Sequence, residues 1–337
     1  MKKLRKILLF IAIAVIVLLV AGISLTIGWR PLIGPKARPL TSVKFEVTPQ
    51  RLERGRYLAV GLSGCSECHS QHDWNTHGAP VTPGTEGSGQ WFNMPDLPGH
   101  IVAPNVTPDP ETGAGTWTDD QLARAIREGI GRDGRALFPM MPYEDFRKMS
   151  DEDLASIVVY LRSLPPVHNQ LSKTEIIFPV KYLIRSVPEP VTMPVASPDP
   201  SDRVKYGEYL VRMGGCGDCH TPQERGQTVA GFDYAGGWLM RGPCGEASTA
   251  NITPDSSGIS YYDEALFLQV MRTGYVKARK LNSIMPFGAF KNLSDDDLRA
   301  IFAYLQTVKP VKHRVDNTAP PTYCKLCRLK HGGGDQN

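Results

Sequence analysis

The chain has 337 residues, of which 21% are charged and 8% aromatic, a composition that excludes a disordered, fibrous or polytopic membrane protein. Its length exceeds that of one domain of about 100 residues and predicts two domains with an anchor and linkers. The net charge of +4 comes from residues 1–50, which hold 8 basic and 1 acidic side chains. Residues 51–168 hold 10 basic and 16 acidic side chains, and residues 201–313 hold 13 basic and 12 acidic ones. Because neither segment is strongly basic, no nucleic-acid partner is predicted.

The first segment predicts a single membrane-spanning helix. Four basic residues within the first six precede residues 7–28, which carry no charge and are long enough to cross a bilayer. A cleaved signal peptide, the alternative, has an apolar region of only about 7 to 15 residues and an A-x-A-like cleavage site. We predict an uncleaved anchor at residues 1–29 and a linker at 30–50. The positive-inside rule then places the remaining chain on the periplasmic side of a bacterial cytoplasmic membrane.

Two pentapeptides follow the pattern C-x-x-C-H: Cys65-Ser66-Glu67-Cys68-His69 and Cys216-Gly217-Asp218-Cys219-His220. Two thiols on one helical turn can form thioethers with one porphyrin, and the adjacent histidine then becomes an axial ligand of its iron. A zinc site usually separates such cysteine pairs by about 15 to 20 residues, and a thioredoxin-like pair does not require the histidine. We therefore predict two covalently bound haem c groups.

An imperfect internal duplication contains these motifs. The matched segments are RGRYL at 54–58 with YGEYL at 206–210, NVTPD at 105–109 with NITPD at 251–255, and MPY at 141–143 with MPF at 285–287. A repeat of this kind predicts two copies of one structural unit. We place the two domains at residues 51–168 and 201–313, separated by a Pro-rich connector at 169–200 and followed by a tail at 314–337.

The duplication also predicts the second axial ligand of each iron. A haem that carries electrons without binding substrate needs a sixth ligand, and a soft methionine thioether favours the reduced iron. The first copy offers Met140 and Met141; Met140 aligns with Ile284, whereas Met141 aligns with Met285. We predict Met141 and Met285 as ligands, with Met140 as the alternative in the first copy.

With these segments the chain resembles tandem class I cytochrome c domains and, more narrowly, the cytochrome c subunits of membrane-bound bacterial alcohol, aldehyde and gluconate dehydrogenases. The resemblance covers about residues 50–313, although those subunits usually carry three haems and this chain has two attachment motifs. It implies an all-α fold in which the first and last helices of each domain cross. Gly55 and Gly207 would permit close approach to Tyr160 and Tyr304, and one haem edge would face solvent.

These features predict an electron-transfer protein with no catalytic residues of its own. It would take electrons from a dehydrogenase or a quinol-side donor and pass them to a downstream carrier or oxidase, so its partners are redox proteins. One alternative is a di-haem enzyme, either a peroxidase or a thiosulfate dehydrogenase-like protein, which requires a haem with an open or labile ligand position. Another is a dedicated subunit of a larger dehydrogenase complex.

Three cysteines lie outside the attachment motifs. Cys324 and Cys327 form a C-x-x-C pair that Arg328 follows, so this pair is not a third attachment site. In an oxidising compartment, we expect one disulfide among these two cysteines and Cys244, with one thiol left over. The sequence does not reveal which two would pair.

Other polar residues are harder to interpret from the sequence. Arg127 and Arg272 occupy matching helical positions, where they either pair with haem propionates or lie exposed on the helix. The glycine-rich end at residues 332–337 is predicted to be disordered. Histidines without a counterpart in the other copy are predicted to lie mostly on the surface, with His72 or His77 as possible neighbours of the first haem: His72, His77, His100, His168, His313 and His331.

Overall fold

The computed structural model describes residues 2–92, 94–224 and 226–332, so most of the predicted disordered end lies outside the described residues. Helices dominate the fold. In chain order they are α1 Lys2–Leu25, α2 Arg30–Ile33, α3 Pro49–Tyr57, α4 Cys65–His69, α5 Asp119–Glu128, α6 Tyr143–Phe146, α7 Asp151–Ser163, α8 Val180–Leu183, α9 Arg203–Met213, α10 Cys216–His220, α11 Glu264–Thr273, α12 Phe287–Phe290 and α13 Asp295–Leu305. A π-helical turn, Leu58–Leu62, continues α3, and a 3₁₀ turn, Ile184–Ser186, continues α8.

The prediction of an all-α fold is incomplete, because short antiparallel strand pairs join the helices. The pairs are β1 Gln90–Trp91 with β3 Val102–Ala103, β2 Gly99–His100 with β4 Glu175–Ile176, β5 Gln223–Glu224 with β6 Gln227–Thr228, β7 Leu239–Gly242 with β8 Gly245–Ser248, β9 Tyr275–Val276 with β10 Arg279–Lys280, and β11 Thr322–Tyr323 with β12 Lys330–His331. Strands of two to four residues are too short to show an alternating apolar pattern, so they cannot be predicted from hydrophobic periodicity.

Helix α1 matches the predicted apolar segment. Among the described residues, it is the one helix with the length and composition needed to cross a membrane, and none of its side chains packs into the rest of the protein. A signal sequence at the N-terminus has the same properties, so anchoring and sidedness stay predictions at this point.

In each copy of the repeat, the first and last helices cross in direct backbone contact. A Cβ atom added to Gly55 in α3 would lie 2.7 Å from the Cβ of Tyr160 in α7. One added to Gly207 in α9 would lie 3.0 Å from the Cβ of Tyr304 in α13, and either atom would lie 2.0 Å from a carbonyl oxygen of the facing helix. The predicted close approach is confirmed, since only glycine leaves enough room for it.

Capping side chains set where these crossing helices begin. The capping residues are Thr48 for α3, Ser150 for α7, Asp202 for α9 and Ser294 for α13. Each side chain accepts a hydrogen bond from a backbone N–H of the first turn, and three acids follow at the start of α7 and of α13. Both arrangements stabilise the positive end of a helix dipole.

The two copies pack against each other through a reciprocal pair of tyrosines. The hydroxyl of Tyr57 in α3 donates to Asp297 in α13 and accepts the backbone N–H of Ser294, 3.0 Å away. In the opposite direction, the hydroxyl of Tyr209 in α9 donates to Asp153 in α7 at 2.7 Å and accepts the N–H of the α7 capping residue at 3.2 Å. The first helix of each copy is thereby fixed to the last helix of the other.

One apolar cluster extends through both copies. Its fully buried members include Leu58, Leu62, Met149, Leu210, Met213 and Leu293. The two predicted domains therefore share one cluster of buried side chains. The division into two domains stays a prediction.

The predicted linker at residues 30–50 follows the surface of the first copy. Arg38 forms ion pairs with Asp120 at 2.6 Å and with Glu128 at 2.7 Å, and both carboxylates belong to α5. Lys36 pairs with Glu189 of the Pro-rich connector at 2.8 Å. Linker and connector are thus attached to the folded units.

Part of the predicted tail is folded. Residues 322–331 form the hairpin of β11 and β12, which returns the chain to the second copy. His313 and His331 are only 1% and 8% exposed, so the surface prediction is wrong for both. The ring of His313 packs edge-on against those of Phe232 and His331, and such contacts between distant segments have no local sequence pattern.

Candidate haem sites

Each C-x-x-C-H pentapeptide forms a short helix of its own. Gly64 precedes α4 and Gly215 precedes α10, both with left-handed backbone, at φ 55° and 62°. This conformation turns the chain sharply after the first helix of each copy, and glycine adopts it without steric cost. The five-residue helix then presents two thiols one turn apart with a histidine at its end.

Both motif histidines are oriented by a backbone carbonyl. Nδ1 of His69 lies 2.7 Å from the oxygen of Pro104, and Nδ1 of His220 lies 2.7 Å from the oxygen of Ala250. Since a carbonyl oxygen only accepts, the proton must be on Nδ1, and the lone pair of Nε2 is available to a metal. Burial lowers the pKa of both imidazoles, which favours the neutral form that binds iron.

The repeated N-x-T-P-D segment holds those carbonyls in place. The side-chain oxygen of Asn105 accepts the backbone N–H of Thr107 at 3.0 Å, and its amide nitrogen donates to the carbonyl of Val167 at 2.7 Å. Asn251 makes the same two bonds in the second copy, at 2.9 and 2.8 Å. The residue before each asparagine supplies the carbonyl that binds the histidine. Sequence reasoning identified this segment only as a loop, although its recurrence was the available signal.

The two Met-Pro loops have the same backbone geometry. The N–H of Met141 donates to the carbonyl of Phe138, and that of Met285 to the carbonyl of Asn282, both at 3.2 Å. In each loop, the N–H two residues further on donates to the methionine carbonyl at 2.8 Å. Both methionine side chains are partly buried against the apolar cluster. Met141 and Met285 therefore occupy equivalent positions in the two copies.

Comparison with known proteins identifies the fold that carries these groups. Residues 52–165 match the family profile described as "Cytochrome c". These residues are a cytochrome c domain. A domain of this family carries covalent haem c, and the paired thiols and oriented histidine of the first motif provide the groups that haem c attachment requires.

Several relatives of the chain are cytochrome subunits of dehydrogenases. The chain is 31% identical over 280 residues to the cytochrome c subunit of the alcohol dehydrogenase (quinone) of Gluconobacter oxydans, covering 77% of this chain and 55% of that protein. It is 29% identical over 296 residues to the fructose dehydrogenase cytochrome subunit of Gluconobacter japonicus, covering 81% and 56%. The chain thus spans about half the length of these relatives.

A shorter relative resembles the chain over most of its own length. The diheme cytochrome c-type protein of Cereibacter sphaeroides is 28% identical over 263 residues, covering 74% of this chain and 83% of that protein. The chain is therefore a homologue of cytochrome c proteins that include both dehydrogenase subunits and a diheme cytochrome.

The attachment motif of the cytochrome c domain lies close to that of the second copy. A Cβ atom added to Gly214, two residues before Cys216, would lie 3.5 Å from Cδ1 and 3.6 Å from the carbonyl oxygen of Leu62, which stands three residues before Cys65. Arg212 of the second copy forms an ion pair with Asp145 of the first at 3.0 Å. The segments that lead into the two attachment helices therefore meet at the interface of the two copies.

The matched arginines pair with acids of the protein. Nη1 of Arg127 lies 2.5 Å from a carboxylate oxygen of Asp151, and Nη2 of Arg272 lies 2.6 Å from one of Asp295. Arg127 is only 5% exposed, so the interpretation as an exposed helix arginine is wrong for it. Its Nε and Nη2 are buried and have no hydrogen-bond partner in the part of the chain that the structure describes. Pairing with a haem propionate stays a prediction.

The role of the N-x-T-P-D segment can be tested by Asn251→Ala and Asn105→Ala in the purified full chain. Each substitution leaves a buried carbonyl and a buried N–H without their partner, which we expect to lower the free energy of unfolding by about 1–3 kcal/mol. Denaturant unfolding followed by haem absorbance measures the loss. The control is Gln306→Ala, which replaces an exposed side chain. If the asparagine variants are as stable as the control, the carbonyls are held by other contacts.

Proposed function

We propose that this chain is a membrane-anchored di-haem cytochrome c that transfers electrons on the periplasmic side of a bacterial cytoplasmic membrane. Its two cytochrome c domains would occupy residues 51–168 and 201–313, after the anchor at residues 1–29. The observation that carries the proposal is the recurrence of one complete arrangement, in which an attachment helix, a carbonyl-bound histidine and a Met-Pro loop occur in both copies.

In the first domain, Cys65 and Cys68 would hold the haem covalently, while His69 and Met141 would ligate its iron. In the second domain, the matching thiols are Cys216 and Cys219, and the axial ligands are His220 and Met285. When bound, haem c supplies a one-electron change at iron. The chain itself fixes the histidine tautomer, partly buries the methionines and holds the segments before the two motifs against each other. An iron with two protein ligands has no position left for a substrate, and this favours a carrier over an enzyme.

The proposed location rests on α1. Its apolar length suits a bilayer, and the basic residues before it favour a cytoplasmic N-terminus. Export of the remaining chain is consistent with haem c attachment on that side.

The proposed partner is a redox protein. The dehydrogenase subunits to which the chain is similar favour a dehydrogenase as the electron donor, with a quinol-side donor as the alternative, and a carrier or oxidase as the acceptor. The same similarity favours a second candidate function, a dedicated cytochrome subunit within a dehydrogenase complex. Co-purification from native membranes distinguishes a permanent subunit from a carrier that binds its donor transiently.

Methionine ligation can be tested with Met141→Ala and Met285→Ala. Each variant should lose about half of the weak absorbance band that a methionine-ligated ferric haem gives near the red end of the spectrum, because one of two thioether ligands is gone. Its haem should also have a lower reduction potential. Met140→Leu is the matched control and should keep the full band. A full band in Met141→Ala together with a reduced one in Met140→Leu would assign the ligand to Met140.

Carrier and enzyme are distinguished by the optical spectrum of the oxidised full chain, recorded with and without hydrogen peroxide or thiosulfate. We expect no spectral change and no turnover, because both irons would be six-coordinate. Consumption of either compound, or loss of the methionine band on its addition, would contradict the carrier function and favour a di-haem peroxidase or a thiosulfate dehydrogenase-like enzyme.

A further inference from the structure

Four potential metal ligands outside the haem motifs converge at the end of the second copy. They are His313, Cys324, Cys327 and His331, and their ligand atoms all lie within 4.8 Å of one another. Cys327 has no exposed surface, both histidines are buried, and Cys324 is partly buried. The spacing is H-x₁₀-C-x₂-C-x₃-H, so two thiols and two imidazoles from less than twenty residues of chain share one small interior volume.

The β11–β12 hairpin brings both thiols to the same side of the chain. The backbone N–H of Cys324 donates to the carbonyl of Leu329 at 2.8 Å, and that of Arg328 donates to the carbonyl of Cys324 at 3.0 Å. Arg328 has a left-handed backbone, with φ 61°, directly after Cys327. Such a conformation is costly for a residue with a side chain and persists only where the surrounding structure requires it. Here it closes the turn that places the two cysteines together.

Each histidine leaves a ring nitrogen for the centre of the cluster. Nδ1 of His313 lies 2.9 Å from the carbonyl oxygen of Ala235, which puts the proton on Nδ1 and directs Nε2 toward Cys324, with Sγ 3.5 Å away. This is the usual way in which the histidine ligand of a metal is oriented. Nε2 of His331 is buried and has no hydrogen-bond partner among the described residues. A buried polar atom without a partner is costly, and a metal ion would satisfy it.

We propose that His313, Cys324, Cys327 and His331 form a structural zinc site. Two thiolates and two imidazoles are a typical ligand set for tetrahedral Zn²⁺. Binding of one Zn²⁺ releases the two thiol protons, so the buried site is neutral overall. Four protein ligands complete the coordination shell and leave no open position, so the site is structural and not catalytic.

The site connects the tail to the loop that supports the histidine of the second haem motif. His313 contacts the carbonyl of Ala235, and the N–H of the next residue, Gly236, donates to the carbonyl of His220 at 2.6 Å. The side chain of Asn317, also in the tail, accepts the backbone N–H of Ser248 at 2.7 Å and donates to its carbonyl at 2.9 Å. Zinc would therefore fix the tail against the segment that precedes the carbonyl bound to His220.

The metal content of the full chain tests the proposal. After purification in detergent without chelators, elemental analysis should find one zinc per chain in addition to the haem iron. X-ray absorption at the zinc edge should show two sulfur ligands at about 2.3 Å and two nitrogen ligands at about 2.0–2.1 Å. This measurement uses the unaltered chain, so it does not depend on whether a variant folds, and it is independent of the proposed haem number.

Variants give the second readout. Cys327→Ser and His331→Ala should each lose the zinc, whereas Cys244→Ser, the matched control outside the cluster, should retain it. A strong chelator should lower the melting temperature of the unaltered chain and of the control, but not that of the zinc-free variants. A chain without zinc, in which peptide mapping finds a Cys324–Cys327 disulfide, would overturn the proposal, as would zinc bound through a different ligand set.

Discussion

The hydrogen bonds from Tyr57 and Tyr209 to buried carboxylates are the interaction on which the arrangement of the two copies depends. Asp153 and Asp297 lie in the first turn of the last helix of each copy, where a carboxylate interacts favourably with the positive end of the helix dipole. Because both carboxylates are buried, they require hydrogen-bond donors. Each receives one from the tyrosine of the other copy. Each tyrosine-bearing helix leads into an attachment motif, so these bonds also fix the segment before each motif on the other copy.

Within each copy, the positions of the candidate ligands follow from backbone contacts more than from side-chain packing. The contact at Gly55 fixes the first helix on the last, and the N-x-T-P-D loop ties itself to the chain just after that last helix through Asn105. The carbonyl of Pro104 is thereby held where it orients His69. An electron carrier gains from such rigidity, since its ligands need not move when the iron changes oxidation state.

Much of this could be predicted because the signals were local or repeated. The C-x-x-C-H motifs and the matched Met-Pro loops are visible in the sequence because each occurs twice, and the resemblance to class I cytochrome c domains implied the close approach at Gly207. Features without a counterpart in the other copy were not predictable in this way. His313 and His331 were assigned to the surface because the duplication offered no partner for them, whereas the folded tail brings their ring nitrogens within 4.8 Å of two cysteine sulfurs. The ion pairs of Arg38 depend likewise on tertiary contacts, and its own segment was predicted only as a linker.

The most direct test of the account is the magnetic coupling between the two irons, measured by pulsed electron paramagnetic resonance on the fully oxidised full chain. The proposed haems, one at each attachment motif of the same chain, predict signals from two low-spin ferric haems with a dipolar coupling that dilution does not weaken. A single haem signal, or a coupling that disappears on dilution, would contradict the proposal of two haems at neighbouring motifs of one chain.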